Sequence, residues 1–492
     1  HRMIEDDEPV EVEFRIGNAG DDLFEVLRLP LRVPAEAESF LLRSQWIDDR
    51  VVVAIVGRDD RGVKFGCLEA AEQIAAGARP DLLEEMAKSP FLAVRGLSTY
   101  LQNRDVDAER FSSDDFRRNW FDMLSWSRFN RFTLVFGHRT NYLVPVFSHL
   151  FDMEREFPGI RVKGVGSRER RRWLVALQRV GDLCEERGID LSIGISRMRL
   201  QADGDEASVE GTGNLRLLAD CTRAGLARLL KAIPQIRTLQ LQTGGESGVS
   251  NPRFFTESFV PAIRECGRAM TVELLGSEID DRVLEAFRDS GARVVIAPKY
   301  SAEHQAMPWQ PPAMPGGESY GDLLRSDRPD PLLWRLCTFG SHRLFFWGDP
   351  DFGRRFVRSC RLGEGIGFDV APPGSQKGFS QWGQVDGDWS IHENQEFFTW
   401  EFQRYWFFWL VFGRLGFDPD QSDDVSVKEL RRRYGGLAAV TMFRAYRSAG
   451  RIVSLLIAQR MDDPRQYVWP ELDCGGPIDH HIHAPAGEPA GE

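Results

Sequence analysis

At 492 residues the chain is too long for a single hydrophobic core and should divide into two or three domains. Hydrophobic residues make up 42% and charged residues 28%, an ordinary globular balance, and the net charge of −12 argues against a nucleic-acid partner. No run reaches the roughly 18 apolar residues of a membrane helix, so no membrane partner is expected.

The first elements are strand-like segments at 10–16, 39–42 and 51–56, followed by a helix over 66–75. They predict a small α+β domain over 1–90. From 91 to 385 short apolar runs alternate with amphipathic helices. The runs are 92–97, 132–136, 189–195, 238–242, 270–275, 293–297, 344–347 and 366–370. Helical patterns lie between them at 167–187, 214–232, 254–266 and 281–290. Eightfold strand–helix alternation predicts an α/β fold, a (β/α)8 TIM barrel. The loop 301–330 is long and rich in Pro and Gly, which suits a site loop. Residues 386–480 read as a helical C-terminal region, and 481–492 as a disordered Pro/Gly/Ala/Glu tail. The aromatic helix around Trp406 fits either a homodimer face or burial against the barrel.

A barrel builds its site from the C-terminal ends of its strands. The fourth run ends in Gly244-Gly245-Glu246-Ser247. Small residues let backbone approach a ligand, and a carboxyl group there suits the acid in glycosidic cleavage. The competing reading is a Glu in a surface turn. Glycoside hydrolysis needs a second carboxylate; Glu303 and Asp349 follow later runs and Asp369 falls at the end of the last, and each could equally be a loop or capping residue. His138, Arg139 and Asn141 follow the second run, Arg197 the third, and Lys299 and Tyr300 the sixth. Arg139, Arg197 and Lys299 would suit a sugar carboxylate, because a guanidinium fork matches it. Each could instead pair with a nearby acid. Trp347 and Trp382 are candidate stacking platforms.

Other chemistries lack their motifs. There is no GxSxG elbow, Walker loop or HExxH. The cluster Asp479-His480-His481-Ile482-His483 precedes the tail, so neither a metal site nor a cofactor is expected. The seven Cys are dispersed without a CxxC pair, which reads as reduced thiols and favours a cytoplasmic over a periplasmic location. No signal peptide is visible, although the opening His1-Arg2-Met3 reads as a trimmed start that leaves a removed leader open.

Several of these segments carry a family resemblance. Residues 57–66 resemble the last turn and helix of the small domain preceding the barrel in α-glucuronidases and β-hexosaminidases. Arg95-Gly96-Leu97 and Phe129-Asn130-Arg131 resemble the entries to the first two barrel strands of hexosaminidases. Gly244-Gly245-Glu246-Ser247 is similar to the hexosaminidase GGDE and to the α-glucuronidase SEG, whose Glu is the general acid. Val294 to Tyr300 looks like the sixth strand of α-glucuronidases, and Phe412 to Asp420 resembles their C-terminal FGRLAWDPD segment. The resemblance implies an exo-acting glycosidase of α-glucuronidase type, with Glu246 as acid, Glu303 at the position of the base, and an oligosaccharide or polysaccharide as substrate. Two departures stand out. Gly245 replaces the Asp that orients the N-acetyl group in hexosaminidases, which argues against acetamido-assisted hydrolysis. The run 344–347 lacks the acid that α-glucuronidases carry in their seventh strand, so either Glu303 acts alone as base or Asp349 or Asp351 replaces the missing Glu. Alternatives are a retaining exo-glycosidase on a neutral sugar, a non-catalytic carbohydrate-binding barrel, and a uronate lyase or epimerase using Lys299 and Tyr300.

Overall fold

The computed structural model describes residues 11–458, apart from 26, 28–29, 102–103, 138–142, 200–208, 276–278, 299–328, 337–347 and 372–396. The chain forms two compact units, His1–Ala93 with Gly413–Ala445, and Val94–Phe412 with Tyr446–Glu492. The C-terminal helices, read from sequence as one region, are thus divided between the two units.

In the first unit, strand Arg50–Gly57 pairs in parallel with Glu11–Asn18 and antiparallel with Phe40–Ile47, which pairs antiparallel with Met86–Lys88. Alternate residues Val51, Val53 and Ile55 face one buried cluster with Phe40, Leu42 and Phe65. Helix Asp60–Ala75 covers it, started by the Asp59 carboxylate, which accepts from Gly62 N at 2.8 Å. A Cβ on Gly66 would lie 2.7 Å from Ile55 Cγ2, so this helix approaches the sheet closely because it has no side chain there. Phe417 completes the cluster, its ring 5.1 Å from Phe65 and 6.1 Å from Phe40. Asp418 accepts from Lys88 Nζ at 2.7 Å. The segment whose sequence resembles FGRLAWDPD therefore supplies core and ion-pair contacts to this unit.

The second unit is a closed barrel of eight parallel strands with helices between them. In chain order the strands are Val94–Leu101, Arg131–Phe136, Asp190–Ile195, Ile236–Gln242, Thr271–Leu275, Arg293–Ile296, Leu332–Leu336 and Gly365–Val370. They are called strands one to eight below. Side chains alternate between helices and lumen. Phe132 of strand two meets Trp120 and Phe121 of helix Asp114–Trp126, and Phe368 of strand eight meets Phe129, Phe356 and Phe412. Their neighbours Thr133 and Asp369 consequently face inward.

Strand seven corrects the sequence expectation. It is Leu332–Leu336, whereas 344–347 lie outside the described residues. Pro329 and Pro331 made the preceding stretch look like loop, and Arg335 interrupts its apolar run. In a barrel lumen such an interruption is an inward polar side chain. The aromatic helix is also resolved between its two readings. Trp406 is buried, with its ring 5.1 Å from Phe407 and 6.0 Å from Tyr446, so it offers no aromatic dimer face. Among the described residues no helix is long and apolar enough to cross a membrane.

Candidate active site

Strand four delivers Glu246 through a tightly tied turn. Thr243 follows the strand and donates to Leu275 O of strand five from both N (2.8 Å) and Oγ1 (2.7 Å). Gly244 then takes φ +71°, a single helical turn covers Gly245–Ser247, and Gly248 takes φ +76°. Ser247 is buried. Its hydroxyl donates to Gly244 O at 2.8 Å and accepts from Val249 N at 3.2 Å, while its carbonyl accepts from Met198 N at 2.8 Å. The turn is therefore fastened to the loop after strand three as well as to strand five. Glu246 is the middle residue of this turn; its side chain is not among the described groups.

Only glycine suits position 248. Its left-handed backbone is strained for any L side chain, and a Cβ would stand 2.8 Å from the Arg199 carbonyl. Gly248→Ala should cost about 2 kcal/mol of stability and lower activity, by displacing the turn that bears Glu246. Thermal denaturation beside activity checks this; unchanged values in both would show that the turn tolerates the shift. At Gly245, by contrast, a Cβ would meet nothing within 4 Å.

Below this turn the lumen holds a polar layer. Gln240 Nε2 donates to Glu273 Oε2 at 3.1 Å and to Asp369 Oδ2 at 3.0 Å, so one amide joins both carboxylates. Asp369 also accepts from Ser98 Oγ at 2.6 Å and Thr133 Oγ1 at 3.3 Å. Arg131 forms an ion pair with Glu273. The Arg335 guanidinium donates from Nη2 to Tyr100 OH at 3.3 Å. Burial pushes the Glu273 carboxyl above the usual carboxylate range. Arg131 opposes that, the Asp369 charge adds to it, and the Gln240 hydrogen bond and Arg335 oppose it more weakly. A separate buried cluster is apolar and joins Val94, Leu275, Val295, Ala297 and Leu333.

The structure sorts the residues expected from sequence. Asp369 lies inside strand eight, at 2% exposure, with its carboxylate bound into the polar layer. Asp349 caps helix Pro350–Ser359, accepting from Asp351 N at 3.2 Å and pairing with Arg451 at 3.2 Å and Arg447 at 3.9 Å. Its carboxylate is therefore engaged in a helix cap and in ion pairs with a C-terminal helix. Arg197 follows strand three and is partly buried. Glu303, His138, Arg139, Asn141, Lys299, Tyr300, Trp347 and Trp382 lie outside the described residues. Sequence reasoning missed Arg131, Gln240, Arg335, Ser98 and Tyr100. The available signal was the recurrence of polar residues at every second position of strands otherwise apolar.

Among the described residues no group of three or more His, Cys, Asp or Glu could hold a metal ion, and the cluster 479–483 lies outside them. Burial raises the thiols of Cys184 and Cys360, and that of Cys221 to about 11, so these groups stay protonated and are poor nucleophiles.

No protein-family model matches the chain, and no curated protein matches it. The short motifs shared with α-glucuronidases thus do not extend to a family match. Among solved structures the chain is similar to a GH138 enzyme targeting pectin rhamnogalacturonan II, with a TM-score of 0.65 and 15% identity over 86% of this chain and 50% of that one. A second similar structure is CpGH84B, with a TM-score of 0.45 and 11% identity over 87% of this chain and 66% of that one. The chain spans half the length of the GH138 enzyme, and the likeness is one of fold.

Proposed function

We propose that the protein is an exo-acting glycoside hydrolase that releases a terminal sugar, a uronic acid, with Glu246 as general acid. The observation that carries this reading is the fastened turn that sets Glu246 at the C-terminal end of strand four, where barrels hold their chemistry. A barrel fold shared with an enzyme targeting pectin rhamnogalacturonan II supports a substrate of polysaccharide origin. In this mechanism Glu246 protonates the glycosidic oxygen as the bond to the anomeric carbon breaks. A second carboxylate activates water on the opposite face of the sugar. Glu303 fits that role better than Asp349, whose carboxylate is held by a helix N-terminus and two arginines.

The expected stereochemistry is inversion, which corresponds to a carboxyl separation of ~6.5–9.5 Å, against ~5–5.5 Å for retention. Proton NMR of the first product from an oligosaccharide capped by an α-linked uronic acid should show the free β-anomer of the uronic acid. Appearance of the α-anomer first would mean retention and a covalent intermediate. Internal cleavage, or release of a neutral sugar alone, would overturn the reading of substrate and mode.

A further inference from the structure

We infer that the basic surface around Arg168 and Arg171 is a docking surface for an anionic polysaccharide, a polyuronate, at the mouth end of the barrel. This rests on the uronide reading above and extends it from the terminal sugar to the chain behind it. Helix Ser167–Glu186 leads from strand two to strand three. It runs back along the barrel, so its first turns lie at the C-terminal ends of the strands, where the mouth is. Just before it, Arg161–Val162 pairs with Val209–Glu210, which joins the segments that leave strands two and three. The segment after strand three also holds the Glu246 turn, through Met198 N and Ser247 O at 2.8 Å. The basic surface and the candidate acid therefore share one end of the barrel.

Between 161 and 172 stand Arg161, Lys163, Arg168, Arg170, Arg171 and Arg172 against one acid, Glu169, in a chain of net charge −12. Some of these cations serve the fold. Arg170 Nε donates to Ser148 O at 3.1 Å, and Arg172 Nη2 donates to Ala108 O at 2.7 Å and Ser112 Oγ at 3.0 Å. Arg161 lies 3.5 Å from Glu154, and Lys163 lies 2.7 Å from Glu210; both pairs are about half exposed and weak. Arg168 and Arg171 differ. Both are exposed, and among the described residues neither has a hydrogen-bond or ion-pair partner. Three residues apart on one helix, they are neighbours on its surface. Cations in the first turns run against the helix macrodipole, so the stability of the helix does not account for them. A guanidinium fork matches a carboxylate, and a polyuronate carries one on every sugar, so two sugars of one chain can meet the two arginines. The acidic remainder of the protein repels such a chain, which directs it to this face.

The test is affinity electrophoresis of the whole chain through gels holding polygalacturonate or the neutral polymer dextran, at low ionic strength. Polygalacturonate should retard the wild type and dextran should not. The double variant Arg168→Gln with Arg171→Gln should weaken the polygalacturonate affinity about fivefold, and each single variant should weaken it less. Salt at about 1 M, where the Debye length is about 3 Å, should abolish the difference between wild type and double variant. Lys231→Gln removes a charge from the last turn of helix Leu215–Ala232, at the opposite end of the barrel, and should change the affinity by less than about twofold. An unchanged affinity in the double variant, or a loss in Lys231→Gln as large as in Arg171→Gln, would overturn the proposal. So would equal retardation by dextran, or a preference for duplex DNA over polygalacturonate. A weakened double variant beside a wild type that cleaves no uronide would leave the docking surface standing and remove the hydrolase reading.

Discussion

Glu246→Gln should reduce sugar release from a natural linkage by about 10²–10⁴-fold, the usual contribution of a positioned general acid, while leaving the protein folded. The substitution keeps the shape of the side chain and removes the transferable proton. The loss should shrink sharply with an activated aryl uronide, because such a leaving group departs without protonation. A structural role for Glu246 predicts equal losses on both substrates, so the ratio between them is the discriminating quantity. The pH profile adds a second readout. With the acid gone, the fall in rate on the alkaline side, where that acid would deprotonate, should disappear. Equal losses on natural and aryl substrates would assign Glu246 to the scaffold of the turn rather than to proton transfer.

The second large effect concerns the barrel interior. Glu273→Leu should destabilise the protein by about 3–5 kcal/mol, because it leaves the Arg131 guanidinium buried opposite an apolar side chain. The double variant Arg131→Met with Glu273→Leu should recover much of that loss, since removing both charges also removes the cost of burying them. Chemical denaturation of the three proteins measures the cycle. A single variant within about 1 kcal/mol of wild type, the scale of exposed pairs, would show that water or movement relieves the exposed charge.

The same carboxyl group gives stability a pH dependence of defined sign. Its folded pKa is raised, chiefly by burial, so the folded state holds the proton more tightly than the unfolded chain does. This contribution is full below the ordinary Glu range and is lost as pH climbs from there through the raised folded value. Glu273→Gln, which cannot ionise, should flatten that part of the stability curve; a curve unchanged from wild type would contradict it.

Much of the architecture was legible because most outward-facing residues of the strands are apolar, as Phe132, which meets Trp120 and Phe121. The same rule hid strand seven, where Arg335 points into the lumen and two prolines precede the strand. Inward residues follow no apolar rule in a lumen built around carboxylates, so no sequence pattern marks Ser98, Gln240 and Glu273 as members of one cluster. Strand-end cations were expected at Arg139, Arg197 and Lys299, whereas Arg131 and Arg335 lie within strands and turn into the lumen. The Glu246 turn was legible from its glycines, yet the geometry demands glycine at 244 and 248 through their positive φ, and not at 245. Asp349 looked like a strand-end acid because a helix N-cap and a site residue share the same local sequence, an Asp before Pro350. Likewise, the division of the C-terminal helices depends on Phe417 packing with Phe40 and Phe65, residues near the other end of the chain.

The proposed hydrolysis of a terminal uronide through Glu246 can be measured by incubating wild type and Glu246→Ala with a panel of uronic-acid-capped and neutral oligosaccharides and quantifying the sugar released. Uronic acid should come from the wild type alone. Equal release by both proteins, or no release by wild type from any uronide, would contradict it.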